Sequence, residues 1–548
     1  MEGRPTADLS HFCANLDGAD LPAAVRERVR YLLLDHLAVT LRGSMLPSSL
    51  AIYKMLQAMH ASASDGCTIF GRHERAEAAW SALANGVAAH GLEMDDVENR
   101  SSLHPGVVVF PAALALSEQL RSSAVDFYTA VVAGYEVTLR VGAALNPASA
   151  YERGFHPTAI CGALGATAAS ARLLKLSAEQ TEMALGIAGS MASGSMAYLH
   201  DGAWTKRLHP GWASHAGIIA ARLAAAGFVG PTAILESRYG FLSAFSSQGN
   251  ASKLQPHSGN DYAIMDVSLK PYACCRYMHG PIDCLLAIKR DHAPDPNHIA
   301  SVRCGVLTGG RGLIADPIEQ KRHANNSVEA QFSMPFGAAV ALVTGHAGLS
   351  VFTEAWLQNA DVRRLMQKVE CYSSPELDDH YPAEWRASAS IVMDDGQEYR
   401  AAVRYPLGDP HNPLNWEQLE ARFHELVAPV IEGGEKRREI IESVRGLDKM
   451  LQVTWKFKQI VEDHMDITYD SLLDEDPEIQ ERVAKAKIAG QQKAVLDFVE
   501  VRFPTLVSVA QEQIVRLNKA DELSRLMKQI ALAPDEATAR WVLGTFAA

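Results

Sequence analysis

The stretch Ala79-Trp-Ser-Ala-Leu-Ala-Asn-Gly-Val-Ala-Ala-His-Gly-Leu92 decides how this chain is read. Small residues recur through it at helical spacing and no acidic or basic side chain interrupts it, so it predicts a helix packed closely against its neighbours. Similar runs cover 111–120, 162–174, 178–190 and 213–226, which makes the region from about 7 to 260 an all-α core. Beyond it the pattern changes. Residues 298–308, 369–372, 388–393 and 398–403 read as short strands, and Asp394-Asp395-Gly396 is a hairpin turn between the last two. Helical stretches at 281–289, 328–344 and 354–358 interleave with them. Asn415 reads as the N-cap of a returning helix with an acidic first turn.

The fold class expected is therefore mainly α. A large all-α helical domain (1–265, completed by 405–450) carries a smaller α+β lid domain (266–404), and 451–548 form a helical C-terminal extension broken at Pro504. At 548 residues the chain is too long for one ordinary core. The hydrophobic share of 48% and charged share of 21% are those of a globular protein. A net charge of −13 argues against nucleic acid or an anionic membrane as partner, since both demand a basic face. A small anionic substrate stays open, because a local cationic cluster can outweigh distant charge. Eight cysteines without C-x-x-C spacing predict reduced thiols. Neither a signal pattern nor an apolar run near the ~20 residues of a spanning helix is present, so a soluble, cytoplasmic protein is expected.

Three His-Pro pairs stand out: His104-Pro105, His156-Pro157 and His209-Pro210. With 20 His and 25 Pro in 548 residues, about one such pair is expected by chance. Proline favours the first helical turn, so each imidazole is expected at a helix N-terminus, where free N–H groups attract anions. The bland alternative, a capping or core histidine, fits any one of them but is weakened by three. Lys206 lies in the cationic run Thr205-Lys-Arg-Leu-His209. Lys270, Cys275, Arg276 and His279 fall within ten positions where helical domain gives way to lid, and domain junctions favour ligand clefts. Arg276 offers a bidentate fork for a carboxylate. Glu93, Asp95 and Asp96 end the Ala-rich helix against its dipole, which predicts a role orienting a histidine or binding a cation.

These segments, in this order, resemble the MmgE/PrpD family, whose members include 2-methylcitrate dehydratase, cis-aconitate decarboxylase and iminodisuccinate epimerase. The resemblance runs from about 7 to 450 and rests on 82–96, His104-Pro105, 154–158, 205–209, 270–279 and Phe332-Ser-Met-Pro-Phe336. It implies a helical domain with a lid, a homodimer and no cofactor. The family's pocket positions correspond to Glu93, His104, His156, Lys206, Lys270 and the 275–279 stretch. Glu93 stands where Asp is usual, Val97 where Thr is frequent, and Cys275 where the methylcitrate dehydratases have a nearby His. The extension weakly resembles the helical C-terminal ends of transposase-like nucleases, which implies an added interaction module.

The chemistry expected is proton abstraction beside a carboxylate of a small di- or tricarboxylate. His104 and His156 would be the acid/base pair, and Glu93 would orient one of them. Lys206 would stabilise the developing charge, while Lys270, Arg276, His279, Cys275, His209 and Asp96 would bind substrate. Dehydration is favoured; decarboxylation, epimerisation and an inactive binding protein are the alternatives. A metal site is not expected, because no close pair such as H-E-x-x-H occurs. Adjacent Cys274 and Cys275 suit an iron–sulfur cluster poorly.

Overall fold

The computed structural model describes residues 4–200, 202–255, 261–449 and most of 488–545. Two compact units divide it, residues 1–465 and 466–548. The first is mainly helical. Its centre is formed by helices Ala23–Gly43, Ala78–Ala89, Gly106–Leu120, Ala124–Leu145, Pro157–Leu173 and Thr205–Ala225, whose buried faces are largely Ala, Gly and Val. Small residues let the axes approach. A Cβ added at Gly86 would lie 2.7 Å from the Cα of Gly211, so the helices Ala78–Ala89 and Thr205–Ala225 cross with their backbones touching. That crossing brings the residues after Ala89 beside the first turns of the second helix.

The lid contains one four-stranded sheet ordered 369–372, 299–305, 387–393, 398–403. Its first pair, Val369–Tyr372 with Ile299–Gly305, is parallel, and the other pairings are antiparallel. The predicted turn closes the last hairpin, with Gly396 at φ +86°. Helices His279–His292 and Met334–Thr344 cover the sheet. A two-residue ladder absent from the sequence reading matters most for the site. Val97 pairs with Ser268 and Glu98 with Val267, which ties the loop after Asp96 to the segment entering Lys270. The returning helix Trp416–Val427 starts at the expected N-cap Asn415, which forms a capping box with Gln418. From it Arg422 donates to Asp35 Oδ1 (2.9 Å) and to the Met94 carbonyl (2.8 Å).

Several expectations are corrected. The helix expected at 111–120 begins at Gly106 and continues through Pro111, whose missing N–H falls within the first two turns. The helix expected over 328–344 is two, Ser327–Ala330 and Met334–Thr344, because Ser333 leaves the helical region to cap the second. His209-Pro210 is not a helix start: the helix begins at Thr205, one turn earlier, and Pro210 lies inside it. The expected boundary near 450 lies outside the described residues. In the second unit, Val499, Phe503, Leu506, Ile514, Leu526, Ile530 and neighbours form a core of their own, and a turn at Pro504–Leu506 marks the predicted break.

Candidate active site

The site is assembled from five segments of the first unit. Helix Ala78–Ala89 ends at His90, and the loop behind it carries Glu93, Asp95 and Asp96. His104 and Pro105 lead into helix Gly106–Leu120, His156 is the N-cap of Pro157–Leu173, and Thr205–Ala225 supplies Lys206 and His209. The ladder described above brings in Lys270.

His104 is the best-oriented group. Its Nδ1 lies 2.7 Å from the Asp96 carbonyl and 3.0 Å from Asp95 Oδ2, so Nδ1 carries the proton and Nε2 is the nitrogen left for proton transfer. Its backbone N–H donates to Thr158 Oγ1 (3.2 Å), linking it to the helix that His156 caps. Asp95 Oδ2 also lies 2.8 Å from His90 Nδ1, and Oδ1 lies 3.5 Å from the Lys270 ammonium. Burial alone would raise the Asp95 carboxyl; Lys270, His90 and His104 hold it well below the usual range instead. His104 is lowered by burial, against the pull of Asp95.

Glu93 has a left-handed backbone (φ +58°), a conformation that costs a non-glycine residue energy and clusters at functional sites. Its carboxylate pairs with the Lys206 ammonium and lies 3.7 Å from Lys270. Against burial, the two ammoniums pull it down to about 2. Lys206 also sits 5.0 Å above the Phe332 ring of the lid. His156 and His209 meet Nδ1 to Nδ1 at 3.1 Å, so one donates and the other accepts; their Nε2 atoms are then in opposite protonation states. Burial, reinforced by His90 and Lys206, holds His156 well below the ordinary range and His209 at about 4.

The structure brings Glu93, His104, Lys206 and Lys270 together with the His156–His209 pair beside them, but it places the other candidates differently. Asp95, not Glu93, orients an imidazole. Asp96 accepts from Gly106 N–H (2.9 Å) and Tyr135 OH (2.8 Å), so it caps the helix that follows His104 and fills the N-terminus expected to attract substrate. Burial raises its carboxyl to about 7 against the Tyr135 hydrogen bond. Arg276 is buried and donates to the Leu407 carbonyl (3.0 Å), and its other terminal nitrogen points toward Asp409 (4.0 Å). His279 is fully buried with Nε2 3.2 Å from the Cys274 carbonyl and Nδ1 3.3 Å from Arg276. Both therefore brace the lid hinge. Cys275 lies within electrostatic reach of Glu93, Lys206 and Lys270, with its thiol raised by burial. Sequence reasoning left His90 out; its position at the end of the Ala-rich run, five residues from Asp95, was the available signal.

His90 Nδ1, Asp95 and His104 Nδ1 present three ligand-type atoms within 4.8 Å of one another. These atoms are already joined by hydrogen bonds, and the Lys270 ammonium supplies a cation to the carboxylate. The charge of the Asp95 carboxylate is thus met by side chains of the protein, two imidazoles at Oδ2 and an ammonium at Oδ1. A cavity of about 1010 Å³ lies between Tyr151 and Met196 of the helical part and Tyr277 and Tyr381 of the lid; the ion-paired Glu98, Arg100 and Asp266 line it, whereas Glu93, Asp95, His104, Lys206 and Lys270 do not.

The first unit thus joins a close-packed helical core, an α+β portion and a buried cluster of histidines and ion-paired lysines. Family models of the MmgE/PrpD N-terminal and C-terminal domains match residues 7–254 and 272–447. The chain belongs to the MmgE/PrpD family. It is 29% identical over 473 residues to a cis-aconitate decarboxylase-like protein of Aspergillus oryzae, covering 83% of this chain and 96% of that one. It is also 28% identical to the cis-aconitate decarboxylases of Aspergillus terreus over 480 residues (82% and 94% covered) and of Homo sapiens over 374 residues (66% and 75% covered). Among the described residues no helix is long and apolar enough to cross a membrane.

Proposed function

We propose that this protein is a cofactor-independent lyase acting on a small polycarboxylate, and that it decarboxylates a cis-aconitate-type tricarboxylate. The observation that carries the reading is His104, whose Nδ1 is fixed by Asp95 and the Asp96 carbonyl so that Nε2 serves proton transfer, with Lys206 and Lys270 close by. Two ammoniums and the Glu93 and Asp95 carboxylates leave the cluster near neutral at rest. A bound trianion raises the proton affinity of the surrounding imidazoles, so His104 charges as substrate enters. The bond to the departing carboxylate then breaks, and its electron pair forms a new C=C. The old double bond shifts, its carbon takes the proton from His104 Nε2, and carbon dioxide leaves. Asp95 stabilises the imidazolium beforehand, while Lys206 and Lys270 hold the remaining carboxylates.

The names of the relatives favour decarboxylation. Dehydration, the reading favoured on sequence, keeps one specific support: the resting imidazoles of His104 and His156 are held neutral and suit a base. Incubation with cis-aconitate, citrate and 2-methylcitrate, followed by mass spectrometry, separates loss of carbon dioxide from loss of water. Deuterium gained by otherwise unchanged substrate would indicate epimerisation or exchange. Absence of turnover across the panel would sink the lyase reading in favour of a binding protein. Full activity after chelation and metal analysis is the expected result for the cofactor. A homodimer in a cytoplasmic setting completes the proposal and is tested by light scattering of the purified protein and by fractionation.

A further inference from the structure

His90 takes no part in the proposed reaction. It is fully buried, its Nδ1 lies 2.8 Å from Asp95 Oδ2, and its Nε2 has no hydrogen-bond partner. The ring stacks on His156 (centroids 5.8 Å, 27°) and meets His104 edge-on (5.2 Å, 61°). A buried polar atom without a partner costs free energy, and an apolar ring would fill the same space without that cost. A packing role alone leaves the polar ring unexplained.

We propose that His90 is a positioning residue that acts on His104 through Asp95. One carboxylate oxygen receives both imidazole N–H groups, at 2.8 Å from His90 and 3.0 Å from His104. Each donor takes up part of the negative charge, so the hydrogen bond from His90 weakens the hold of Asp95 on the His104 imidazolium and fixes the oxygen that faces it. His104 keeps 14% of its side chain accessible, whereas His90 is fully buried with no acceptor at Nε2. The other charged or titratable groups bearing on this oxygen and ring are Glu93 and Asp96 on the same loop, His156, His209 and Lys206 from the facing helices, Lys270 from the segment after the ladder, and Asp35 and His36 with Arg422 around Asp95.

The inference rests on His104 as the proton-transfer group, and its test reads His104 directly. In full-length protein with ¹³C-labelled histidine, the His104 Cε1 signal is assigned by its absence in His104→Gln and followed against pH. His90→Asn places an amide N–H where Nδ1–H was, whereas His90→Phe keeps the ring volume without the donor. His90→Gln puts its N–H at the Nε2 position and serves as a second donor-free variant should Phe not fold. Loss of the donor is expected to raise the His104 midpoint by about one pH unit, and Asn to leave it within a few tenths. The alkaline limb of kcat/KM on cis-aconitate, set by the protonated His104 that the reaction needs, should move with it. Equal midpoints in His90→Asn and the folded donor-free variant would overturn the proposal. A shifted midpoint in a protein that turns over no polycarboxylate would sink the proposed reaction while upholding the His90 assignment.

Discussion

Replacing Asp95 by Asn keeps the size of the side chain and removes the charge that holds the His104 imidazolium. Asp95 Oδ2 lies 3.0 Å from His104 Nδ1 and the side chain is 1% exposed, so solvent screens the pair poorly. Taking about 4 Å between charge centres and an effective dielectric of about 20, the attraction is about 4 kcal/mol. A loss of that size from the charged state corresponds to about 10³-fold in rate. The assay is initial-rate kinetics on cis-aconitate across pH 5–9. We expect kcat/KM to fall by about 10²- to 10³-fold, mostly in kcat, because Lys206 and Glu93 still pair. The sign of the pH effect is fixed as well. A carboxylate raises the affinity of a neighbouring imidazole for a proton, so its removal lowers the His104 value and moves the alkaline limb, where the proton donor is lost, to lower pH. A folded Asp95→Asn enzyme retaining more than a tenth of parental kcat/KM, with its alkaline limb unmoved, would refute the assignment of Asp95 as the orienting carboxylate.

Lys206→Met leaves Glu93 buried beside Lys270 alone and is expected to lower kcat/KM at least 10²-fold, whereas Arg276→Met, which touches only the lid hinge, should reduce thermal stability more than turnover. Removing Arg422 strands the buried Asp35 charge and frees the Met94 carbonyl, so Arg422→Met should cost about 3–5 kcal/mol in denaturant unfolding. Asp96 and Glu136 are both raised by burial to about 7, so folding binds protons that the unfolded chain has lost between about pH 4 and 7, and stability should decline as pH rises through that window; Asp96→Asn is expected to flatten the decline in melting temperature measured from pH 5 to 8. Gly86→Ala drives a Cβ to 2.7 Å from the Gly211 backbone, so it should lower both melting temperature and kcat by parting the helices that carry Glu93 and Lys206.

The sequence by itself determined the class of fold and the residues from which a site is built. Composition dictated this directly: alanine and glycine at helical spacing admit only close-packed helices, and alternation with an Asp-Asp-Gly turn admits only a hairpin. The His-Pro pairs and the Lys270–His279 run named segments that meet at the candidate site because proline and charge act locally. What each side chain faces was decided only in three dimensions. Glu93, Asp95 and Asp96 are nearly adjacent in the chain, yet one pairs with Lys206, one orients His104 and one caps a helix. The choice depends on the Gly86–Gly211 crossing and the Val97–Ser268 ladder, contacts between residues more than a hundred positions apart. Arg276 and His279 read as substrate ligands by type alone, and their burial against Leu407 and Cys274 turned them into braces. Local sequence sets backbone preference, whereas the partner of a buried charge is set by whichever opposite charge the packed helices bring within reach.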